Sequence, residues 1–269
     1  MGINAQLDKL VELLAELPQV DAIALGGSSA SGRSDELSDF DLCVLPNKPV
    51  PLTARRDIVR KLGATGDPGH DYFGGGDEWT DAATGAHFDL MYFGLEFFRE
   101  QIERPLRYFQ PSLGYSTAFA YTVSQGRILY DPEDKFAALQ ALAREPYPDA
   151  LRENVVRYNR PMLRGFISSY YRQLEKAAER GDLVSFNHRL AAFLASYFDI
   201  IFAVNRQLHP GEKRLLATTL SICESLPESF EEGVTATLQR ASDGTQLLTR
   251  LDQLLDALDA WLRQEGLLD

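Results

Sequence analysis

Residues 24–45 read ALGGSSASGRSDELSDFDLCVL, and the fold turns on how this stretch is parsed. The apolar run Ile23, Ala24 and Leu25 predicts the end of a strand, Gly26 and Gly27 break it, a Ser-rich segment follows, and a second strand carries Asp39 and Asp41. Side chains alternate in direction along a strand, so residues two apart share a face while Phe40 and Leu42 turn into a core. Asp39 and Asp41 therefore converge. Two like charges so close are unfavourable unless a cation or a proton lies between them, and one or two carboxylates plus substrate phosphates are the ligands that Mg2+ takes. The turn ahead of them has the complementary chemistry: its glycines let the backbone bend and approach a ligand. Ser28 or Ser29 is placed to cap a following helix whose amides would face a phosphate.

At 269 residues the chain fits one large domain or two modest ones. Its 45% hydrophobic and 25% charged content is that of a globular protein with a packed core. No run approaches the roughly eighteen apolar residues of a membrane helix. The opening MGINAQLDKLVELLAEL reads as an amphipathic helix rather than a signal peptide, so the expectation is a cytoplasmic protein with no membrane contact. Cys43 and Cys223 are too few for a disulfide framework and are expected to be reduced and buried. Acidic residues outnumber basic ones 39 to 27, giving a net charge of −12. Nucleic-acid binding relies on Lys and Arg neutralising phosphates, so that partner is disfavoured. An acidic surface attracts cations, which fits a cationic substrate as well as plain solubility.

In chain order, Leu7, Leu10, Val11, Leu13 and Leu14 have helical spacing and predict a helix over 3–16 ended by Pro18. Strands are predicted at 20–25 and 40–45, then a helix capped by Thr53 and running to Leu62. Residues 63–76 read as loop around a short strand HDYF, and Ala86 to Phe93 as a strand carrying Asp89 among apolar neighbours. An acid there is costly unless paired or bound to metal. The turn ATG separates two extended pieces in DEWTDAATGAHFDLMYF; Asp77, Glu78 and Trp79 of the first read as a solvated loop with Trp79 packed beneath it or, by resemblance to a similar segment of small-molecule nucleotidyltransferases, as lying near the acceptor site, and a lone His87 reads as structural. A helix over LEFFREQIERPL, a strand at 127–130 and a helix to Arg144 precede the linker EPYP at 145–148. Beyond it the pattern is helical throughout: 151–180, 183–208, 212–226, 228–240 and 246–264, an antiparallel bundle with the aromatic rows of 170–202 in its core.

The residues GGSSASG followed by SDFDLCV, with Asp89 on a later FDLMYF strand, resemble the GGS…DxD signature of the DNA polymerase β nucleotidyltransferase superfamily. The segment QGRILYDPEDKFAAL is similar to the end of the catalytic domain in antibiotic (aminoglycoside and lincosamide) nucleotidyltransferases, whose C-terminal domains the helical remainder also resembles. The resemblance implies an α/β nucleotidyltransferase domain over 1–145, a mixed sheet flanked by helices, and an all-α bundle over 149–269. It implies Mg2+ held by Asp39, Asp41 and Asp89, with Asp89 either third ligand or general base. Gly26, Gly27, Ser28 and Ser38 would contact the nucleotide, and Lys213, in a PGEKRL-like segment, would hold the triphosphate or else be a solvated helix start. The implied activity is transfer of a nucleoside monophosphate, AMP from ATP, to a hydroxyl of a small cationic molecule seated between the two domains. A regulatory or protein-AMPylating member acting on a protein partner is the alternative. Oligomeric state stays open.

Overall fold

The computed structural model describes residues 3–27, 40–72, 74–82, 84–239 and 244–269. The chain divides into two compact units, Met1–Glu103 with Phe119–Glu145, and Arg104–Ala118 with Pro146–Asp269.

The first unit is built on a mixed sheet. Its strands are β1 (Val20–Leu25), β2 (Phe40–Pro46), β3 (Thr65–His70), β4 (Gly76–Thr80), β5 (His87–Tyr92) and β6 (Arg127–Tyr130), arranged β3-β4-β5-β2-β1-β6. Among these six strands the β2–β5 pair is parallel and the other pairs are antiparallel. The chain between those two strands crosses over through α2 (Leu52–Leu62), β3 and β4. Helix α1 (Ile3–Ala15) contributes Leu7, Leu10 and Leu14, and α2 contributes Ile58, Val59 and Leu62, to a core closed by Ile23, Leu25, Phe40, Leu42, Val44, Trp79, Phe88 and Leu90 from the sheet. Ala22 and Ala24, which alternate with Ile23 on β1, are buried too, and α5 (Lys135–Ala143) packs on that strand. The remaining helices of this part are α3 (Leu95–Leu106) and α4 (Ala118–Gln125).

Several expectations are corrected here. Residues 76–80 form the extended piece expected ahead of the ATG turn and not a solvated loop: Asp77 and Trp79 alternate inward while Glu78 stays out. Asp77 is tolerated inside since Arg55 of α2 lies 3.2 Å from its Oδ1 and the Tyr92 hydroxyl donates to its Oδ2 at 2.8 Å. The peripheral strand runs over 65–70 rather than HDYF; Pro68 fits because β3 is at the sheet edge, where a missing N–H breaks no ladder. Thr53 does not cap α2, whose N-cap is Pro51 with no side-chain hydrogen bond. Cys223 is buried and Cys43 half-buried, and neither is in a disulfide.

The second unit is helical: α6 (Asp149–Arg164), α7 (Tyr170–Arg180), α8 (Leu183–Val204), α9 (Leu215–Ile222), α10 (Phe230–Gln239) and α11 (Gly244–Gln264). The single helix predicted over 151–180 is broken after Arg164. Pro161 and Gly165 meet so closely that a Cβ on Gly165 would sit 2.8 Å from the Pro161 Cα, and Ser169 opens α7. The helix expected from 212 starts at Leu215, since Arg214 takes a left-handed φ of 54°. Helix α8 is the axis: Asp182 caps it by accepting from the Ser185 amide, and Phe193, Tyr197, Ile200 and Ile201 are fully buried. Arg160 and Arg164 of α6 reach Asp259 and Asp256 of α11, each at 2.7 Å. Among the described residues no helix is long and apolar enough to cross a membrane.

Residues 104–118 leave α3 and lie within this helical unit, held by buried polar groups. The Gly114 amide donates to Asn159 Oδ1 at 3.0 Å, and the Ser116 amide and hydroxyl donate to the two oxygens of Asp199 at 2.9 and 2.6 Å. Burial pushes the Asp199 carboxyl up to about 7, against an ordinary 3.8, with the Ser116 bonds pulling the other way. The folded protein thus keeps a proton that the unfolded chain releases. Stability conferred by this group is fully present below the ordinary value of 3.8 and is lost as pH rises from there through about 7, by up to about 1.4 kcal/mol per pH unit. Asp199→Asn is expected to flatten the dependence of urea-unfolding free energy on pH across that window. A slope unchanged from wild type would contradict the assignment.

Candidate active site

The site is set by strand register. Asp41 of β2 stands directly opposite Asp89 of β5 in the parallel ladder, and Glu78 of β4 stands directly opposite Asp89 in the antiparallel one. Neighbouring strands lie about 4.8 Å apart, so three carboxylate-bearing residues occupy consecutive positions across the sheet. One residue along, on the opposite face, Phe40, Phe88 and Trp79 form the matching row, with ring centroids 5.0 Å apart for Phe40–Phe88 and 5.6 Å for Trp79–Phe88. The alternation that buries the rings puts the carboxylates on the other side.

Cys43, two residues after Asp41, shares that side. Burial pushes its thiol up to about 12, with the charges of Asp41 and Asp89 adding to the effect. Both carboxylates therefore act on one sulfur, and the thiol is protonated at neutral pH. His87, two residues before Asp89, also shares it. Its Nε2 lies 2.8 Å from Glu78 Oε1 and its Nδ1 3.4 Å from Thr80 Oγ1.

The glycine turn abuts Asp41. The Gly26 amide donates to the Asp41 carbonyl at 2.7 Å. Gly27 has a φ of +62°, and a Cβ there would overlap the Asp41 carboxylate, only 2.9 Å from its Cγ. Glycine is needed on both counts, for the left-handed backbone and for the close approach.

Of the residues singled out from the sequence, Gly26, Gly27, Asp41 and Asp89 are brought together at the ends of β1, β2 and β5. Ser28, Ser38 and Asp39 lie outside the described residues, as do Ser29, Arg33 and Ser34. Lys213 is an exposed residue of the helical unit, in the turn ahead of α9. Glu78, one of the residues read as acceptor-side or loop, and Cys43, which was not singled out, also lie on the site side; the period-two pattern in GDEWT and FDLCVL was the available signal. Among the described residues no group of three or more His, Cys, Asp or Glu side chains is placed to hold a metal by itself. The donor set nevertheless suits a hard divalent cation. Two hard carboxylates, Asp41 and Asp89, sit side by side against a backbone cradle that a methyl group would fill.

Residues 7–112 match the family profile described as "Nucleotidyltransferase domain", and residues 116–215 match one described as "Domain of unknown function (DUF4037)". The first match supports nucleotidyl transfer as the general chemistry of the sheet unit. No curated protein matches the chain. Solved structures similar to it include a nucleotidyltransferase-like protein from Exiguobacterium sibiricum 255-15, 12% identical, covering 98% of this chain and 78% of that one with a TM-score of 0.44. Another is a toxin-antitoxin with AMP-PNP, 20% identical, covering 51% of this chain and 82% of that one with a TM-score of 0.29.

Juxtaposed carboxylates repel when no cation is present. Asp41→Asn is therefore expected to stabilise the metal-free protein by about 1 kcal/mol, or about 3 °C in melting temperature. Mg2+ with ATP is expected to raise the melting temperature of the wild type, and the same variant should abolish that rise. An unchanged ligand-induced rise in differential scanning calorimetry would contradict the role given to Asp41.

Proposed function

We propose that this chain is a Mg2+-dependent nucleotidyltransferase that moves AMP from ATP to a hydroxyl of a small, cationic molecule such as an aminated sugar. The observation that carries this reading is the Asp41–Asp89 register pair beside the Gly26–Gly27 turn, inside a segment matching the nucleotidyltransferase profile. Asp41 and Asp89, together with Asp39, are the residues that would hold the cation; when bound it supplies charge neutralisation on the phosphates. The backbone of Gly26 and Gly27 would approach the phosphates, and glycine at position 27 leaves the Asp41 carboxylate its place beside that turn. The acceptor hydroxyl oxygen attacks the α-phosphorus, a new O–P bond forms, the bond to the β-phosphate oxygen breaks, and pyrophosphate leaves. Asp89 either completes the metal site or accepts a proton. The net charge of −12 favours a cationic acceptor over a nucleic acid.

The test is transfer of label from α-labelled ATP, with Mg2+, to aminoglycosides, lincosamides and proteins of a lysate. Label is expected on a small aminated acceptor, lost with EDTA and reduced about 10³-fold, equivalent to about 4 kcal/mol, in Asp41→Asn. Label on a protein would instead indicate a protein-modifying enzyme. No label on any acceptor, with no Mg2+-dependent ATP binding by calorimetry, would sink the enzyme reading.

A further inference from the structure

Residues 110–117 form a strap on the helical unit that is held by polar bonds more than by apolar packing. Gly114 has a φ of 80°, and a Cβ on it would sit 2.8 Å from that of Ala195 on α8. Tyr115 follows with a left-handed φ of 56°, which a tyrosine adopts only where its surroundings hold it. The side-chain amide of Asn159 on α6 donates to the Ser112 carbonyl at 2.9 Å, and its oxygen accepts from the Gly114 amide at 3.0 Å. The Ser116 amide and hydroxyl meet the two oxygens of Asp199, and Thr117 Oγ1 accepts from the His209 amide at 2.8 Å. Leu113 and Tyr115 stay exposed, so solvent reaches the strap on its other side.

Asp199 is 2% exposed, and the groups that bond it, from Ser116 and Asn159, are uncharged. A carboxylate buried among neutral groups is expensive, and a proton on it removes that cost. The Ser116 hydroxyl serves both states. When Asp199 is neutral, its O–H donates to Ser116 Oγ across 2.6 Å and the serine donates on to the Ser112 carbonyl at 3.4 Å; when Asp199 is ionised, the serine donates to it instead. The bonds survive ionisation, but the charge stays buried unless the strap moves. We infer that residues 110–117 are a proton-linked latch, which lifts from α6 and α8 as Asp199 releases its proton to water. Opening returns the carboxyl from about 7 to its ordinary 3.8, so it becomes easier as pH rises between those values and levels off above them. Of the other ionisable groups nearby, burial and then the Asp199 charge push Tyr147 well above its ordinary value, and burial and then Glu212 raise Tyr115. His209, stacked on Tyr115 at 4.8 Å, is pushed by burial down to about 4 from 6.5. Wherever opening uncovers it, His209 acts in the opposite sense, taking up a proton below 6.5. The latch belongs to the helical unit and holds whatever the sheet unit catalyses.

The experiment is amide hydrogen exchange of the full chain, followed residue by residue by NMR between about pH 5 and pH 8 and corrected for intrinsic exchange. The Gly114 and Ser116 amides, donors in the buried bonds, report the strap, while those of Ile200 and Ile201 on α8 report unfolding of the whole unit. In wild type the strap amides are expected to exchange about tenfold or more faster than the α8 pair. Dividing the wild-type opening constant by that of Asp199→Asn cancels the contribution of His209. This ratio should rise by up to about tenfold per pH unit towards 7 and level off beyond it. In His209→Gln the same slope should appear without division, and that variant carries the test if Asp199→Asn does not fold. A ratio that stays constant with pH overturns the inference, as does a strap in His209→Gln that opens equally at every pH. Strap amides that exchange no faster than those of Ile200 and Ile201 overturn it as well, because the segment then opens only with the whole unit.

Discussion

The aromatic row Phe40–Phe88–Trp79 is the constraint on which the sheet face depends. These three rings come from three adjacent strands, stack at 5.0 and 5.6 Å and are buried beneath α1 and α2. A slip of one residue in β2 or β5 would turn a ring to solvent and an aspartate into the core, a cost of several kcal/mol on each count. Register is thereby fixed by apolar packing, and the alignment of Asp41 with Asp89 and of Asp89 with Glu78 is its mirror on the other face. The carboxylates need no attraction for one another to be held together. Their repulsion is a cost that the core meets, which is a usual relation between a scaffold and a charged site.

The glycine turn belongs to the same device. Because the end of β1 pairs with the start of β2, the backbone at Gly26 and Gly27 comes to the Asp41 carboxylate as a consequence of the β1–β2 ladder. Glu78 is positioned by the β5–β4 ladder in the same way. The sheet therefore spreads turn, paired carboxylates and Glu78 along one line perpendicular to the strands.

Much of this was legible in the sequence, and the reasons are specific. FDLCVL and HFDLMY show period-two alternation with the acid on the polar phase, so both strands, with Asp41 and Asp89 on their polar faces, could be read before their pairing was known. The inward face of GDEWT was harder to read because Asp77 sits on its apolar phase, which the Arg55–Asp77 pair and the Tyr92 hydroxyl, contributed from distant positions, make acceptable. The edge strand TGDPGH carries two glycines and a proline, residues that local pattern assigns to loops. The helical break at Gly165 was missed since apolar spacing resumes in register at Tyr170 and Leu174 on α7. Strand pairing, which puts Glu78 beside Asp89, is a long-range property that no local pattern contains.

The central claim is that Asp41 and Asp89 act as one divalent-cation site beside the glycine turn. Mn2+, as a paramagnetic substitute for Mg2+, reports this directly through the enhancement of water proton relaxation when ATP is titrated into protein and metal. Wild type should form a ternary complex with strong enhancement, and Asp41→Asn and Asp89→Asn should each weaken Mn2+ binding in that complex by about tenfold or more. If both variants bind Mn2+ and ATP as wild type does, the paired carboxylates are not a metal site and the account is wrong.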